Sequence, residues 1–314
     1  MAFLCLLLIA NLIVRYLSAS VLAKLKNKSK AAGISYMQCL QLFCQEEFLR
    51  KLEKSRYAKN LILKGGLFIY TLTNFESRAT IDIDFLLHRQ TNSFEHIQNM
   101  IEEIIQIPTG NDYISMEARG FERIAVQRKY NGVSMQIIAR IKKVRVPFNV
   151  DIGVGDIVVP EPTFRGIKTQ LPDFQSPRVL TYSLESTIAE KFDAILQRFE
   201  LTGRMKDFYD IYYLAQTFDF RGIILQTAIK ETLKNRGTPY TEQSFDRILT
   251  LSQDADIQTR WRYFLKKIDA KNLAFDTVMH MIEIFLGPVF HAIVEEKEFT
   301  LLWEHDSLAW REGS

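Results

Sequence analysis

The chain has few of the residues that build disulfide frameworks or zinc sites. Its 314 residues include three cysteines, Cys5, Cys39 and Cys44, whose spacing fits no metal-binding pattern and no even set of disulfides. The five histidines form no pair at the spacing of zinc ligands. We therefore expect reduced thiols in a cytoplasmic protein, and we expect no zinc site.

The hydrophobic run near the N-terminus is short. Residues Ala2 to Val14 are almost wholly apolar, but the stretch is shorter than the ~20 residues that a membrane-spanning helix needs. It lacks the basic segment that begins a signal peptide. We expect it to extend the first amphipathic helix or to precede the true start, with no stable membrane association. A signal peptide or membrane anchor is the alternative.

Neither sign of charge dominates the chain. Lysine and arginine number 40 against 37 acidic residues, which gives a formal net charge of +3. This balance permits a polyanionic partner without requiring one. The hydrophobic share of 47% is ordinary for a globular protein, and 314 residues are enough for a sizeable core and two domains.

Prolines are scarce and unevenly placed. Four of the eight, Pro160, Pro162, Pro172 and Pro177, lie in one stretch, which predicts a linker or an irregular crossing. Hydrophobic spacing is mixed before this stretch and helical after it. We predict an α+β fold, in which a mixed sheet flanked by helices precedes a helical domain. The expected parts are N-terminal helices at 1–55 (with an apolar extension of unknown role at 1–17), a core at 56–160 and a mainly helical C-terminal domain at 161–314.

Several elements can be predicted individually. Helical spacing from Ser18 to Leu52, broken at Gly33, predicts two helices, and a third runs from Ser93 as N-cap to Ile105. Residues 121–128 and 134–141 are strand-like, and Asn131-Gly132 between them is typical of a hairpin turn. Residues 145–152 predict another strand ending at Asp151, with Pro147 at an edge or at the strand start.

The segment from Lys64 to Asp84 carries the strongest chemical pattern. The pair Gly65-Gly66 is expected to open a helix, where the backbone can approach a phosphate and helical N–H groups face an anion. Further on, Asp82 and Asp84 stand at the start of an apolar strand and should project to one face. We expect Ile81, Ile83 and Phe85 to face the core. The alternative is that these are ordinary turn and surface residues.

Two carboxylates on one face predict a Mg²⁺ site, because Mg²⁺ prefers oxygen ligands and shares them with substrate phosphates. Asp151 ends the apolar strand Asn149 to Gly153 and needs a partner. If that strand neighbours the one with Asp82 and Asp84, three carboxylates converge and two metal ions can be held. Otherwise Asp151 is a turn residue at a strand end. Asp156 is a weaker candidate.

A second group of charged residues follows the proline-rich stretch. Lys191 lies in a predicted helix from Leu184 to Phe199 and could reach a triphosphate as a point charge. Arg204 and Lys206 open the next helix and add positive charge. Asp207 and Asp210 share one face of that helix. Asp207 either offsets the helix dipole or orients Lys191.

A basic segment with aromatic residues is a possible acceptor surface. Residues 258–267 combine Trp261 and Tyr263 with four cations, Arg260, Arg262, Lys266 and Lys267. Such a mixture suits phosphate contact and base stacking. The favoured alternative is a helix with Trp261, Phe264 and Leu265 in the core and a solvated basic face, since charged helix faces are the rule.

Together these motifs resemble the AbiEii-type nucleotidyltransferase toxins of abortive-infection and toxin–antitoxin systems, within the DNA-polymerase-β-like nucleotidyltransferase superfamily. The resemblance runs from about Ser20 to Tyr213, and the last hundred residues match only as a helical tail. It rests on the order of the motifs Lys-Gly-Gly, Arg-x-Thr-x-Asp-x-Asp, Asp-Ile-Gly-x-Gly-Asp, Glu-Lys and Arg-x-Lys-Asp-x-x-Asp. The apolar extension before Ser18 has no place in it.

The resemblance implies a nucleotidyltransferase-type sheet and a Mg²⁺-dependent transfer of a nucleoside monophosphate from an NTP, with release of pyrophosphate. Some members modify the 3′ end of tRNA, so the resemblance also implies an RNA acceptor, a cognate antitoxin and a role in phage defence. The implied catalytic residues are Thr80, Asp82, Asp84, Lys191 and Asp207, the implied nucleotide-binding residues Gly65, Gly66, Lys191, Arg204 and Lys206, and the metal ligands Asp82, Asp84 and Asp151.

Two other functions remain open at this point. The same fold could transfer a nucleotide to a protein or a small molecule. The chain could also be a non-catalytic nucleotide-binding regulator. The intact carboxylates argue against a regulator, because clustered like charges are costly to keep without a use.

Overall fold

The structure is a computed structural model that describes residues 2–124, 132–199, 203–270 and 272–313. The chain divides into two compact units. The first unit contains Met1–Gly155 and Thr163–Thr181, and the second contains Asp156–Pro162 and Tyr182–Ser314.

The first unit is a mixed sheet of seven strands with helices. Its strand order is β3-β4-β5-β2-β1-β7-β6, with β2/β5 and β1/β7 parallel and the other neighbours antiparallel. The helices are α1 (Ala2–Ala32), α2 (Tyr36–Lys54), α3 (Gly65–Leu72) and α4 (Phe94–Gln106). The strands are β1 (Leu61–Lys64), β2 (Ile83–Leu87), β3 (Ile114–Ile124), β4 (Gly132–Ile141), β5 (Val144–Val154), β6 (Thr163–Gly166) and β7 (Arg178–Thr181).

The second unit is mainly helical, as predicted, but it also contains a small antiparallel sheet in the order β10-β9-β8. Its helices are α5 (Leu184–Arg198), α6 (Met205–Thr217), α7 (Gly222–Arg236), α8 (Ser244–Leu249), α9 (Ala255–Lys267) and α10 (Phe275–Val294). Its strands are β8 (Phe220–Arg221), β9 (Leu302–Glu304) and β10 (Ala309–Arg311). By length and composition alone α10 could cross a membrane, but most of it is buried within this unit.

Capping residues set the helix boundaries that the sequence predicts. Gly33, at a φ of 66°, separates α1 from α2. The Ser93 hydroxyl accepts a hydrogen bond from the His96 backbone N–H, as an N-cap does. The backbone of α1 begins at Ala2, so the apolar extension is continuous with the first helix.

The strand predictions are partly confirmed, with three corrections. Strand β3 begins at Ile114, seven residues before the predicted start, and residues 125–128 of that prediction lie outside the described residues. Strand β5 continues beyond Asp151 to Val154, and β6 lies inside the proline-rich stretch that was predicted to be irregular. Pro147 is tolerated because β2 pairs with β5 only from Val150 onward, so that β5 is locally an edge at this proline. The predicted hairpin turn at Asn131 lies outside the described residues.

One face of the sheet packs on α2. Ile83 and Phe85 are fully buried, and the Phe85 ring lies 6.0 Å from the ring of Phe48 on α2. Ile81, however, is 51% exposed, which corrects the prediction that it faces the core. It precedes β2, and the alternation of side chains holds only within a strand.

Buried polar and charged side chains connect α2 to the rest of the first unit. The Glu47 carboxylate accepts hydrogen bonds from Arg50 at 2.8 Å and from the Asn111 amide at 2.6 Å. The Glu46 carboxylate accepts one at 2.6 Å from the backbone N–H of Gln170. Burial raises the pKa of Glu46 to about 8, although Arg50 and the Gln170 N–H lower it.

This pKa makes the stability of the first unit depend on pH. Glu46 titrates at 4.5 without the fold, so between pH 4.5 and about 8 the folded chain holds a proton that the unfolded chain releases. The stabilisation is complete below the lower value and is lost as the pH rises through the upper one. We expect the free energy of unfolding to fall over this range relative to Glu46→Gln, measured by urea denaturation. If the free energy of unfolding depended on pH in the same way for the parent chain and for Glu46→Gln, the prediction would be wrong. The control is Glu102→Gln on the exposed face of α4.

Candidate active site

A polar row crosses four neighbouring strands of the large sheet. Ser134 of β4 lies opposite Asp151 of β5, Asp151 lies opposite Asp84 of β2, and Asp84 lies opposite Lys64 of β1. Directly opposite residues share a face of the sheet. Two carboxylates therefore stand side by side on adjacent parallel strands, as the sequence predicted for the case in which these strands are neighbours.

The alternation of buried and polar residues along β2 and β5 determines which face of the sheet carries the two carboxylates. Val150 and Ile152, on either side of Asp151, are at most 1% exposed, and Ile83 and Phe85 flank Asp84 in the same way. Because side chains alternate along a strand, burial of these neighbours turns both aspartates to the opposite face.

Two hydrogen bonds orient the acidic side chains. The Ser134 hydroxyl donates to Asp151 Oδ1 at 2.6 Å, and the Asn149 amide donates to Asp82 Oδ1 at 3.0 Å. Asn149 lies two residues before Asp151 and shares its face. Asp82 precedes β2, but its carboxylate reaches the same side of the sheet as Asp84.

The glycine pair fits closely against this site. Gly65 begins α3 at a φ of 70°, and a Cβ atom there would lie 2.1 Å from Asp84 Oδ2. A Cβ atom on Gly66 would lie 3.0 Å from the Thr80 Cβ atom and 3.1 Å from its hydroxyl. The start of α3 therefore lies close against Asp84 and Thr80, and at Gly65 there is no room for a Cβ atom.

The residues present fit a divalent cation that is held by a pair of carboxylates and by substrate phosphates. Within the described ranges, no group of three or more His, Cys, Asp or Glu side chains is arranged to hold a metal ion. Asp84 and Asp151 lie side by side on the adjacent strands β2 and β5, and Asp82 accepts a hydrogen bond from Asn149. A pair of carboxylates is what Mg²⁺ uses when substrate phosphates complete its shell.

The second unit contains the predicted lysine and its acidic partners. Lys191 Nζ lies 2.6 Å from Asp210 Oδ2 and 3.3 Å from Asp207 Oδ1, and all three side chains are buried. Asp207 and Asp210 thus share one face of α6, as predicted, and both hold the lysine.

The two cations at the start of α6 differ in their surroundings. Arg204 Nε lies 2.6 Å from Asp207 Oδ2, so that Asp207 pairs with Arg204 as well as Lys191. Lys206 is exposed. Asp207 therefore acts as an orienting group between two cations, and its position in the first turn of α6 also suits the helix dipole.

Sequence reasoning missed Arg236, which binds three carboxylates within the second unit. Its guanidinium lies 2.7 Å from Asp156, 2.9 Å from Asp193 and 3.2 Å from Glu190. Burial lowers the pKa of Arg236, but the three carboxylates outweigh it and raise the pKa above its usual value. Asp156, the weaker metal candidate, is thus engaged by an arginine. No local signal marks this contact, since α7 comes long after Asp156 in the chain.

Helix α9 has the two faces that the favoured alternative predicted. Trp261 is 2% exposed and Leu265 is also buried. On the outer side Tyr263 is 72% exposed. Its neighbours on that helical surface are three exposed cations, Arg260, Lys266 and Lys267, and Arg262 is exposed beside it.

Comparison with known protein families identifies the family to which this chain belongs. The sequence model described as "Nucleotidyl transferase AbiEii toxin, Type IV TA system" matches residues 47–281, well over half of the chain. The match starts later than the resemblance from Ser20 and extends beyond Tyr213. A comparison with curated protein sequences finds no match.

The solved structure of one nucleotidyltransferase toxin supports the fold. The chain is similar to MenT4, a nucleotidyltransferase toxin from Mycobacterium tuberculosis, with 16% identity, a TM-score of 0.51 and coverage of 87% of this chain and 99% of that one. It is also similar to JHP933 from Helicobacter pylori, with 15% identity, a TM-score of 0.44 and coverage of 81% and 92%. At these identities the likeness to MenT4 concerns the fold alone.

The close fit of Gly65 can be tested with a matched glycine. Gly33 has nearly the same φ, 66°, but a Cβ atom there would meet no described atom within 4 Å. Gly33→Ala should cost about 1–2 kcal/mol of stability from backbone strain. Gly65→Ala adds a clash with Asp84, so we expect a larger loss in urea denaturation together with loss of Mg²⁺-dependent NTP binding. Equal effects of the two substitutions would show that the contact with Asp84 does not matter.

Proposed function

Because the chain belongs to the family of AbiEii nucleotidyltransferase toxins of type IV toxin–antitoxin systems, we propose that it transfers a nucleoside monophosphate from an NTP to an RNA hydroxyl, with Mg²⁺. The 3′ end of tRNA is the proposed acceptor, in a cytoplasmic protein that a cognate antitoxin restrains and that acts in phage defence. The observation that carries the proposal is the Asp84–Asp151 pair, with Gly65 lying against the Asp84 carboxylate.

The reaction has a balanced form. An acceptor hydroxyl oxygen attacks the α-phosphorus of the NTP, a new P–O bond forms, and the bond between the α-phosphorus and the bridging oxygen breaks. Pyrophosphate leaves, and the hydroxyl proton passes to solvent. Mg²⁺, when bound, would neutralise charge on the triphosphate and polarise the α-phosphate.

The chain's own residues position the reactants. Asp84 and Asp151 would hold the cation, with Asp82 beside them on the same side of the sheet. Backbone N–H groups at the start of α3, where Gly65 and Gly66 carry no Cβ atom, would bind phosphate oxygens together with the positive end of the helix dipole. In phosphoryl transfer such positioning and charge stabilisation supply most of the acceleration.

Lys191 is proposed as a further phosphate ligand. Asp207 and Asp210 fix its ammonium group in place at 3.3 Å and 2.6 Å. A lysine held by two carboxylates on one helix keeps its rotamer, so little entropy is lost when an anion binds. Arg204 and Lys206 add positive charge at the start of the same helix.

The chemistry is tested by a label-transfer assay. Purified full-length protein, Mg²⁺ and each α-³²P-labelled NTP are mixed with total tRNA. We expect label on tRNA, and we expect Asp84→Asn to reduce the rate by about 10²- to 10³-fold or more because charge stabilisation at the reacting phosphate is lost. Asp82→Ala should also reduce it. Asp173→Asn is the control, since this exposed carboxylate forms a surface ion pair with Lys24.

The other outcomes of this assay separate the alternatives. Label on the protein or on a small molecule, with none on tRNA, would refute the RNA acceptor and favour a different acceptor for the same chemistry. NTP binding without transfer to any acceptor would favour a non-catalytic nucleotide-binding regulator.

The outer face of α9 is the proposed contact for the acceptor RNA. Tyr263 offers an exposed ring for base stacking, and the cations around it can contact phosphates. We expect Tyr263→Ala, and the double variant Lys266→Ala/Lys267→Ala, to raise the KM for tRNA about tenfold with little change in kcat.

A pair of lysines in the same unit serves as the control for α9. Lys230 and Lys234 are exposed on α7, so Lys230→Ala/Lys234→Ala removes the same charge from another surface. Equal increases in KM for the two double variants would mean that net charge, rather than the α9 surface, determines RNA affinity.

A further inference from the structure

Lys64 occupies a position that its place in the Lys-Gly-Gly motif does not suggest. It is the last residue of β1 and lies directly opposite Asp84 of β2. Its main chain is extended, with φ −137° and ψ −171°, immediately before α3 begins. The side chain therefore leaves the sheet on the face that carries the carboxylate pair.

The ammonium group of Lys64 reaches across β2. Its Nζ atom lies 3.9 Å from the position that a Cβ atom would take on Gly153. Gly153 belongs to β5, and β2 separates β5 from β1. Adjacent strands are about 4.8 Å apart, so the ammonium group lies nearly two strand spacings away from the backbone of Lys64. A larger side chain at position 153 would occupy this space.

The position of Gly153 shows where the ammonium group lies relative to Asp84 and Asp151. It stands two residues after Asp151 on β5 and shares its face. Its partner on β2 is Leu86, two residues after Asp84. The positive charge of Lys64 therefore lies over the β2–β5 junction, beside the place where Asp84 and Asp151 face each other.

Two like charges directly opposite each other on neighbouring strands destabilise a sheet. A lysine supplies the compensating charge as a compact group on a flexible stem. We infer that Lys64 is a resident cation of the Asp84–Asp151 pair, which balances the two carboxylates until a divalent cation takes its place. The inference rests on the proposed function, because that function places the divalent cation at this pair.

Competition between the two cations can be measured without nucleotide. Mn²⁺ serves as the probe, and its binding to the full-length chain is followed by electron paramagnetic resonance. We expect Lys64→Met, which keeps the apolar stem but removes the charge, to bind Mn²⁺ about tenfold more tightly because a competing cation is gone. Lys64→Arg should restore weak binding. Lys59→Met removes the same charge from an exposed position five residues earlier and should change nothing.

Thermal unfolding provides a second measurement. In EDTA, Lys64→Met should melt below the parent chain because the carboxylates repel each other without compensation, and Mn²⁺ should restore its melting temperature. Far-UV circular dichroism checks that the variant is folded before titration.

Gly153 gives an independent test of the same geometry. Gly153→Ala should be neutral, since its methyl group would lie in ordinary contact at 3.8 Å from the Phe85 carbonyl and 3.9 Å from Lys64 Nζ. Gly153→Leu should displace the ammonium group and tighten Mn²⁺ binding as Lys64→Met does.

Unchanged or weaker Mn²⁺ binding by Lys64→Met would overturn the inference, and so would a parent chain and variant that both fail to bind Mn²⁺. Tighter binding by the variant supports it even if the parent chain transfers no label to any acceptor. In that case the proposed function fails while the resident cation stands.

Discussion

The site in the first unit depends on one register, the parallel pairing of β2 with β5. That pairing places Asp84 opposite Asp151, and a shift by one residue would set Asp84 against Val150 or Ile152 instead. The register is fixed from the other face, where the neighbours of both aspartates are buried and the Phe85 ring packs on Phe48 of α2. The geometry of the two carboxylates is therefore a consequence of how the core packs.

Features within one strand could be predicted from the sequence. Contacts that depend on how neighbouring strands are paired could not. A period of two residues tells which side chains share a strand face, and within β2 it correctly separated Asp84 from the buried Ile83 and Phe85. It failed at Ile81, because the strand begins two residues later than the pattern suggests. Partners on a neighbouring strand, such as Ser134 for Asp151 and Asn149 for Asp82, could not be predicted, since only tertiary packing decides which residues meet.

In the second unit, too, residues that share one helix face could be predicted, but the distant partners of a buried charge could not. Helical spacing predicted that Asp207 and Asp210 share a face, and that face binds Lys191. Nothing in the spacing predicted Arg236, which joins carboxylates that are distant in the chain. Buried ion pairs contribute little net stability, because desolvation offsets much of the attraction. What they contribute here is position, since each buried cation is held from two or more directions.

The type of cation differs between these clusters in a way that fits their roles. Arg50 and Arg236 each bind at least two carboxylates among buried side chains, and a planar guanidinium with five donors keeps such contacts in fixed geometry. Lys64, beside the Asp84–Asp151 pair, is instead a lysine, whose single charge on a flexible stem can move when a divalent cation binds. An arginine would hold its acids permanently, whereas a site that must accept a metal and a triphosphate needs a cation that can move aside. On this argument Arg50 and Arg236 secure structure, whereas Lys64 lies where the charge has to be exchanged.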